Sequence, residues 1–391
     1  MTSLPWNDEL NAALVERKAV GRYRFSRTRT GAQGTNIVVD DKSVLSFCSN
    51  DYLGLAANEE ITQAFVRAAE TEGVGSGAAH LLTGHSQYHH ELELALADFL
   101  GQQRVLLFST GYMANLAVID GLLQRGDTVI QDKLNHASLL DGGRISAAEQ
   151  LRYPHLDMAS LSRRLESAAT AEHKLIVSDG VFSMDGDLAP LPELMTLSQQ
   201  HNAGLFIDDA HGLGVLGKTG RGLTEHFQIA DDEQPIVMGT FGKAFGTAGA
   251  FIAADEVVIE TLVQQARSYV YTTAQPAAVA AATLASLKIV QEQSWRREKL
   301  QALIAQFRLG AKQLGLTLME SFTPIQPVII GDDQQALKIG QALEKQNILV
   351  GVIRPPTVPK NSARLRITLS AEHSETQVNQ LLAALESVSA H

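Results

Sequence analysis

The chain alternates between short runs of apolar residues and longer segments in which apolar positions recur every three or four residues. The short runs have the length of β strands, and the longer segments have the period of α helices. Short apolar strands separated by helices are typical of a mostly parallel sheet that is covered on both faces. The predicted strands are 104–109, 128–131, 174–178, 204–208, 236–239 and 250–253, and the predicted helices include 86–100, 112–123 and 192–201.

Both ends of the chain depart from this alternation. An amphipathic helix is predicted for 4–20, a basic arm follows it, and a small hairpin is predicted for 36–39 and 44–47. Beyond the predicted helices that start at 276 and at 295, the pattern predicts strands 327–330, 348–353 and 364–368 with helices 334–346 and 372–388. We therefore expect an α/β protein with an N-terminal helix and arm (1–48), a large mostly parallel domain (49–285) and a smaller α+β domain (286–391).

The composition is that of an ordinary soluble globular protein, with 45% apolar and 19% charged residues among 391. The net charge of −11 argues against nucleic acid or an anionic membrane as a partner. Cys48 is the only cysteine, which excludes an intramolecular disulfide and fits a reducing compartment. The first twenty residues contain no long apolar run, so we expect no secretory signal and a cytoplasmic location.

Lys243 stands among small and aromatic residues in the segment 240–246 (TFGKAFG), directly after a predicted strand. Burial in such surroundings lowers the pKa of a lysine, and a neutral amine is the nucleophile of Schiff-base chemistry. Taken alone, the segment also fits a surface lysine on a glycine-rich turn.

Other polar residues follow other predicted strands. Asp208 and His211 end one strand, and His136 and Ser183 come shortly after two more. The carboxyl ends of parallel strands face a common crevice, so these side chains are expected to meet there. The turn at Gly111 opens a helix, whose free N–H groups form an anion site. Each feature alone also fits a cap, a packed histidine or an ordinary turn.

Residues 212–219 (GLGVLGKT) match the phosphate-binding loop pattern of nucleotide hydrolases, with Lys218 and Thr219 as its last two residues. Such a loop must open a helix, but the glycines of 220–222 (GRG) would break a first helical turn. The two aspartates at 208 and 209 would also repel a phosphate. Nucleotide hydrolysis is therefore the weaker hypothesis.

Five segments carry a resemblance to a known family: 50–55 (NDYLGL), 180–187 (GVFSMDGD), 208–212 (DDAHG), 220–222 (GRG) and 240–246 (TFGKAFG). They resemble the α-oxoamine synthases, which are fold-type I enzymes dependent on pyridoxal 5'-phosphate (PLP). The resemblance covers nearly the whole chain. Residues 354–359 (RPPTVP) and 363–369 (ARLRITL) are most similar to the branch that condenses L-alanine with a pimeloyl thioester.

The resemblance implies catalytic roles for three residues and a role in holding the cofactor for a fourth. Lys243 would bind the cofactor as a Schiff base and move the Cα proton. Asp208 would pair with the pyridinium nitrogen, and His136 would stack on the ring and contact substrate. His211 would hydrogen-bond the phenolic oxygen of the ring.

The resemblance also implies the rest of the site. Gly111, Tyr112 and Thr240 would line the phosphate, and Ser183 the ring edge. The substrate-binding residues would be Asn50 near the reacting carbon, Arg354 on the amino-acid carboxylate, and Arg24 and Thr357. The implied assembly is a homodimer with shared active sites, in which Thr272 and Thr273 reach the neighbouring cofactor.

Several alternatives stay open at this stage. The acyl donor is pimeloyl-CoA or pimeloyl-acyl carrier protein. Sister synthases use glycine or serine with other donors, and a non-catalytic cofactor-binding regulator would need an added DNA-binding head. Asp179 stands where the family pattern leads us to expect the longer Glu, and residues 75–80 (GSGAAH) are less glycine-rich than expected.

Overall fold

The structure, a computed structural model, describes residues 4–389, and within them the strands form two sheets. The strands are β1 (Arg29–Thr30), β2 (Asn36–Val39), β3 (Lys42–Phe47), β4 (Arg104–Phe108), β5 (Thr128–Asp132), β6 (Glu149–Tyr153), β7 (Lys174–Asp179), β8 (Gly204–Asp208), β9 (Ile236–Thr240), β10 (Ala250–Ala254), β11 (Ile325–Gly331), β12 (Ile348–Ile353) and β13 (Ala363–Thr368).

Helices connect and cover these strands. They are α1 (Asn7–Ala19), α2 (Glu59–Glu72), α3 (Gln87–Leu100), α4 (Gly111–Leu122), α5 (Ala137–Ile145), α6 (Met158–Ser167), α7 (Leu191–Gln200), α8 (Leu223–His226), α9 (Glu256–Gln265), α10 (Arg267–Val270), α11 (Ala277–Glu292), α12 (Trp295–Gln313), α13 (Asp333–Lys345) and α14 (Glu375–Ser389), with a π-helical turn at His80–Gly84. No helix in the described part of the chain is long and apolar enough to cross a membrane.

The large sheet has the strand order β4-β10-β9-β8-β7-β5-β6, in which β10 runs antiparallel and its neighbours from β9 to β6 run parallel. Successive side chains of β8 enter different buried clusters, because Phe206 packs on one face and Ile207 on the other. The predicted parallel sheet with two covered faces is therefore confirmed, and burial of each such side chain contributes about 2 kcal/mol.

The small sheet joins the two ends of the chain in the order β1-β2-β3-β12-β13-β11. Strand β3 pairs in parallel with β12, so the predicted N-terminal hairpin extends the C-terminal sheet. The hairpin turns at Asp40 and Asp41, whose φ angles of 49° and 62° are those of a type I′ turn. The sequence pattern predicted this hairpin but not its place in the sheet.

The small sheet and α11 together suggest different bounds for the domains. The expected division at 285 and 286 falls inside α11, a continuous helix. We propose that the units divide between α11 and α12, and that 29–47 belongs with the C-terminal unit. Residues 1–3 and 390–391 of the expected outer parts lie outside the described residues.

Candidate active site

Neighbouring strands of the large sheet end at one cavity. Asp179 at the end of β7 is directly opposite Asp208 at the end of β8, and β9 ends at Thr240, three residues before Lys243. The cavity has a volume of about 170 Å³. The eight predicted cofactor-binding residues line it: Gly111, Tyr112, His136, Ser183, Asp208, His211, Thr240 and Lys243.

The turn that carries Lys243 is fixed by its neighbours. Phe241 and Phe245 are fully buried on either side of the lysine. Gly246 has a φ of 65° and lies so close to the backbone of Leu55 and Ala56 that a Cβ atom would meet the Ala56 nitrogen at 2.4 Å. The two aromatic anchors and this glycine hold the turn against the segment 50–55, and Lys243 is thereby directed into the cavity.

Burial lowers the pKa of Lys243 to about 8, although the charges of Asp208 and Asp179 act in the opposite direction. Arg366 adds to the lowering of this pKa. The amine is therefore close to its neutral, nucleophilic form near physiological pH, as the sequence predicted.

Two hydrogen bonds set the orientation of Asp208. Its Oδ2 accepts from the Asn115 side-chain amide at 2.7 Å, and its Oδ1 accepts from the backbone N–H of Ala210 at 3.1 Å. Asn115 also donates to the Ser138 hydroxyl at 2.8 Å, so the amide cannot turn away. Asn115 was not predicted as a site residue, although its spacing of four residues from Gly111 places it on the first turns of α4.

Asp179, the residue shorter than expected, keeps a contact with His136. Its Oδ2 accepts from the backbone N–H of His136 at 3.0 Å. Burial and the neighbouring charge of Asp208 raise the pKa of Asp179 well above its ordinary value. Asp179 therefore gives up its proton less readily than an exposed carboxyl group does.

His211 is held by a tyrosine that the sequence analysis did not single out. Its Nδ1 lies 2.5 Å from the Tyr52 hydroxyl, and both residues are buried. Burial lowers the pKa of His211 far below its ordinary value, so the ring is neutral. This contact leaves the other ring nitrogen, Nε2, for a group in the cavity.

The N-terminus of α4 has free backbone donors at the position where the sequence predicts an anion site. Thr110 caps the helix by accepting from the Met113 N–H at 3.2 Å. Among the described residues, the N–H groups of Gly111 and Tyr112 donate no hydrogen bond, and both residues line the cavity. Free N–H groups at a helix start attract a phosphate without a side-chain cation.

The predicted substrate-binding residues, apart from His136, lie elsewhere. Arg24, Arg354 and Thr357 line a second cavity of about 810 Å³ between the N-terminal arm and β12. Met184 also lines that cavity, whereas its neighbour Ser183 lines the first, so the two cavities adjoin at this peptide.

Arg366 is a buried cation that the sequence analysis did not assign to the site. Its Nε donates to the Ser183 carbonyl at 2.6 Å, and its terminal nitrogens contact Asn50 Oδ1 at 3.3 and 3.4 Å and Thr368 Oγ1 at 3.0 Å. Among the described residues it forms no salt bridge. The sequence of 363–369 contained a signal for this residue. Side chains alternate between the two faces of a strand, so Arg364 and Arg366 lie on one face of a buried strand.

In the loop that resembles a phosphate-binding loop, several donors already bond to a carboxylate of the same chain. Glu225 accepts hydrogen bonds from the N–H and hydroxyl of Thr219 and from the N–H of Arg221, all within 3.1 Å. A Cβ atom on Gly217 would collide with the same carboxylate. These donors cannot also bind a phosphate, so the geometry argues against nucleotide hydrolysis.

Comparison with known proteins agrees with this site. The family model "Aminotransferase class I and II" matches residues 42–385. An 8-amino-7-oxononanoate synthase of Pseudomonas paraeruginosa is 57% identical over 96% of this chain and 94% of its own. A solved serine palmitoyltransferase variant from S. paucimobilis with bound PLP–myriocin superposes with a TM-score of 0.93 at 31% identity, covering 99% of both chains.

A solved 8-amino-7-oxononanoate synthase from Francisella tularensis superposes with a TM-score of 0.77 at 31% identity, covering 88% of this chain and 97% of its own. The residues that the family model matches include every residue that lines the first cavity. The chain therefore belongs to the 8-amino-7-oxononanoate synthase family, within aminotransferase class I and II.

Proposed function

We propose that the chain condenses L-alanine with a pimeloyl thioester, with release of carbon dioxide and of the donor's free thiol, which gives 8-amino-7-oxononanoate for biotin synthesis. The relatives at 55–57% identity bear the name of this product. The observation that carries the proposal is the meeting of Lys243 and Asp208 in one cavity beside a helix N-terminus.

The cavity fits PLP, the cofactor of this family. It combines free N–H groups for a phosphate at Gly111 and Tyr112 with an oriented carboxylate at Asp208 and an amine at Lys243. The Oδ1 atom of Asn115, which also lines the cavity, is buried and has no hydrogen-bond partner in the described part of the chain. When bound, PLP supplies an aldehyde that captures an amine and a pyridinium ring that accepts the electron pair left on a deprotonated carbon.

Lys243 would transfer the proton in this reaction, and Asp208 would stabilise the positive charge of the ring. Lys243 offers a neutral amine, first as the nucleophile toward an aldehyde and then as the base that removes and returns the Cα proton of L-alanine. Asp208 stabilises a protonated ring nitrogen through its charge, and the Asn115 amide holds it in place. Asp179 keeps the backbone of His136 in position so that its ring covers one face of the cavity.

We assign the amino-acid carboxylate to Arg366 rather than to Arg354. Arg366 is buried, carries no carboxylate partner among the described residues and is close enough to Lys243 to lower the pKa of its amine. A buried cation without a counterion favours an anionic ligand. Arg354, Arg24 and Thr357 then bind the acyl donor in the adjoining cavity.

We propose a homodimer with shared active sites as the working assembly. Thr272 and Thr273 lie in the segment between α10 and α11, and the resemblance assigns them to the phosphate of the neighbouring subunit. The donor is pimeloyl-CoA or pimeloyl-acyl carrier protein. The proposed compartment is the cytoplasm, in line with the absence of disulfides from a chain with one cysteine.

The test is a product assay with purified protein, PLP and both pimeloyl thioesters, each offered L-alanine, glycine or L-serine. We expect 8-amino-7-oxononanoate with L-alanine and no comparable condensation with the other two. Condensation with glycine or serine and none with alanine would instead identify a sister synthase.

A further inference from the structure

A cluster of imidazole and carboxylate groups lies away from the cavity, at the start of α3. His85 immediately precedes the cap Ser86, and His90 and Glu93 stand three residues apart on one face of the helix. One nitrogen of each histidine and one oxygen of Glu93 lie within 4.8 Å of one another. From this geometry we propose that His85, His90 and Glu93 form a binding site for a Zn²⁺-class divalent ion.

The ligand atoms stand at a distance suited to an ion between them. His85 Nε2 lies 3.8 Å from Glu93 Oε2, too far for a hydrogen bond. Two ligands of a tetrahedral zinc ion, each about 2.1 Å from the metal, lie about 3.4 Å apart. A small closing movement of the exposed His90 side chain completes three ligands, and water takes the fourth position.

Two of the three ligands are already oriented by other groups. His85 Nδ1 lies 2.9 Å from His80 Nδ1, and in the tautomer in which His85 donates this proton, its Nε2 keeps a lone pair toward Glu93. Glu93 Oε1 accepts from the backbone N–H of Leu107 at 3.2 Å, which leaves Oε2 for the ion. Such outer partners are typical of metal ligands because they fix the tautomer and direction of each ligand.

The chemical types of the three ligands also fit an ion of this class. Two imidazoles and one carboxylate with an open position are the ligand set that zinc and its neighbours in the first transition row prefer.

In the second group of this kind, His155 with Asp185 and Asp187, the possible ligand atoms already contact other groups of the protein. Both ring nitrogens of His155 contact carboxylates, at 3.2 Å from Asp132 and 2.8 Å from Asp187. Asp185 is paired with Arg364. Its ligand atoms are therefore used within the protein, and we reserve the proposal for the α3 cluster.

The test uses tag-free holoenzyme dialysed against EDTA and then titrated with ZnCl₂. Bound zinc is measured by equilibrium dialysis with elemental analysis, and the unfolding temperature is followed in parallel. We expect one zinc ion per chain and a rise in unfolding temperature on binding. His90→Ala and Glu93→Gln should weaken binding at least tenfold.

Glu91→Ala, on another face of α3, and Cys48→Ser serve as matched controls and should bind zinc like the parent. His90 is exposed, so His90→Ala should keep the parent's circular dichroism and synthase activity without zinc. Zinc uptake that is absent, or equal in the parent and in both ligand variants, would overturn the proposal. Neither result bears on the proposed synthase reaction, because these residues do not line its cavity.

Discussion

At the scale of single residues, the site depends on an amine whose proton is easily lost. The pKa of Lys243 is lowered to about 8 mainly by burial, against the pull of two carboxylates. Among the residues that support it, Asn115, Tyr52 and Arg366 carry no chemistry of their own in the sequence motifs. Only the fold brings these three side chains close to Asp208, His211 and Lys243.

The first prediction concerns the capture of PLP by cofactor-free protein. Because only the neutral amine attacks an aldehyde, the capture rate should rise about tenfold per pH unit below the pKa of Lys243 and level off above about pH 8. Stopped-flow absorbance over pH 6–10 measures this rate. A rate that still rises tenfold per unit at pH 9–10 would show an ordinary exposed lysine.

A second prediction separates the two arginines. Arg366→Lys keeps the charge but loses the planar fork, so the KM for L-alanine should rise at least about tenfold, since hydrogen bonds to charged groups contribute about 1.5–3 kcal/mol. Arg354→Lys should raise the KM for the pimeloyl thioester instead. Steady-state kinetics with each substrate varied in turn measure both, and the opposite assignment follows if the two effects are exchanged.

At the scale of elements, the strand ends bring the chemistry together. The apolar runs of β5, β7, β8 and β9 were sufficient to predict the sheet and its crevice, because buried parallel strands are short and nearly continuous in apolar residues. Strand β6 (EQLRY) escaped prediction since it lies at the edge of the sheet and its polar side chains break the pattern. The pairing of β3 with β12 was not predicted either, because no local pattern encodes pairing between strands that lie about 300 residues apart in the sequence.

The grouping of the eight predicted residues in one cavity has the same origin. The eight cavity residues follow strand ends or open a helix, and their motifs resemble a known family. Asn115 and Tyr52 form part of that neighbourhood only through tertiary contacts. The division between Arg354 and Arg366 depends on where the fold places each side chain, and sequence spacing does not contain that information.

A third prediction concerns the loop 212–222. Glu225→Ala leaves three donors of this loop without an acceptor and should lower the free energy of unfolding by about 2 kcal/mol. Chemical denaturation measures this loss. Lys218→Ala, at an exposed position of the same loop, is the control and should change neither stability nor synthase activity. Nucleotide hydrolysis by the parent protein that is lost in Lys218→Ala would instead support the nucleotide hypothesis.

At the scale of the whole molecule, the loop 181–188 follows one sheet and contacts the other. Residues 181–188 follow β7 of the large sheet, and Arg364 and Arg366 of β13 contact Asp185 and the Ser183 carbonyl within it. The Gly186 carbonyl also accepts from Ser321 and Thr323. The site therefore lies where both sheets contribute, and its geometry depends on their mutual position.

The fourth prediction follows from His155, which ties Asp187 of this loop to Asp132 of β5. Burial alone would lower its pKa, but the hydrogen bonds that its ring donates to both carboxylates raise the pKa to about 9. Since the folded-state pKa exceeds the unfolded value of ~6.5, the stabilisation is complete below pH 6.5 and is lost as the pH rises toward 9.

We expect the free energy of unfolding to fall by about 2 kcal/mol across this window, and His155→Gln to remove that pH dependence. Urea denaturation of both proteins at pH 6 and pH 9 measures the difference. An identical pH dependence in the variant would show that the ion pairs of His155 do not stabilise the loop.

The central claim is that Lys243 is the residue to which PLP attaches. Borohydride reduction of the cofactor-loaded protein, followed by peptide mass spectrometry, makes that attachment permanent and locates it. We expect a pyridoxyl label on Lys243 and no label in the Lys243→Ala variant. A label on another lysine, or a Lys243→Ala protein that still makes 8-amino-7-oxononanoate, would contradict it.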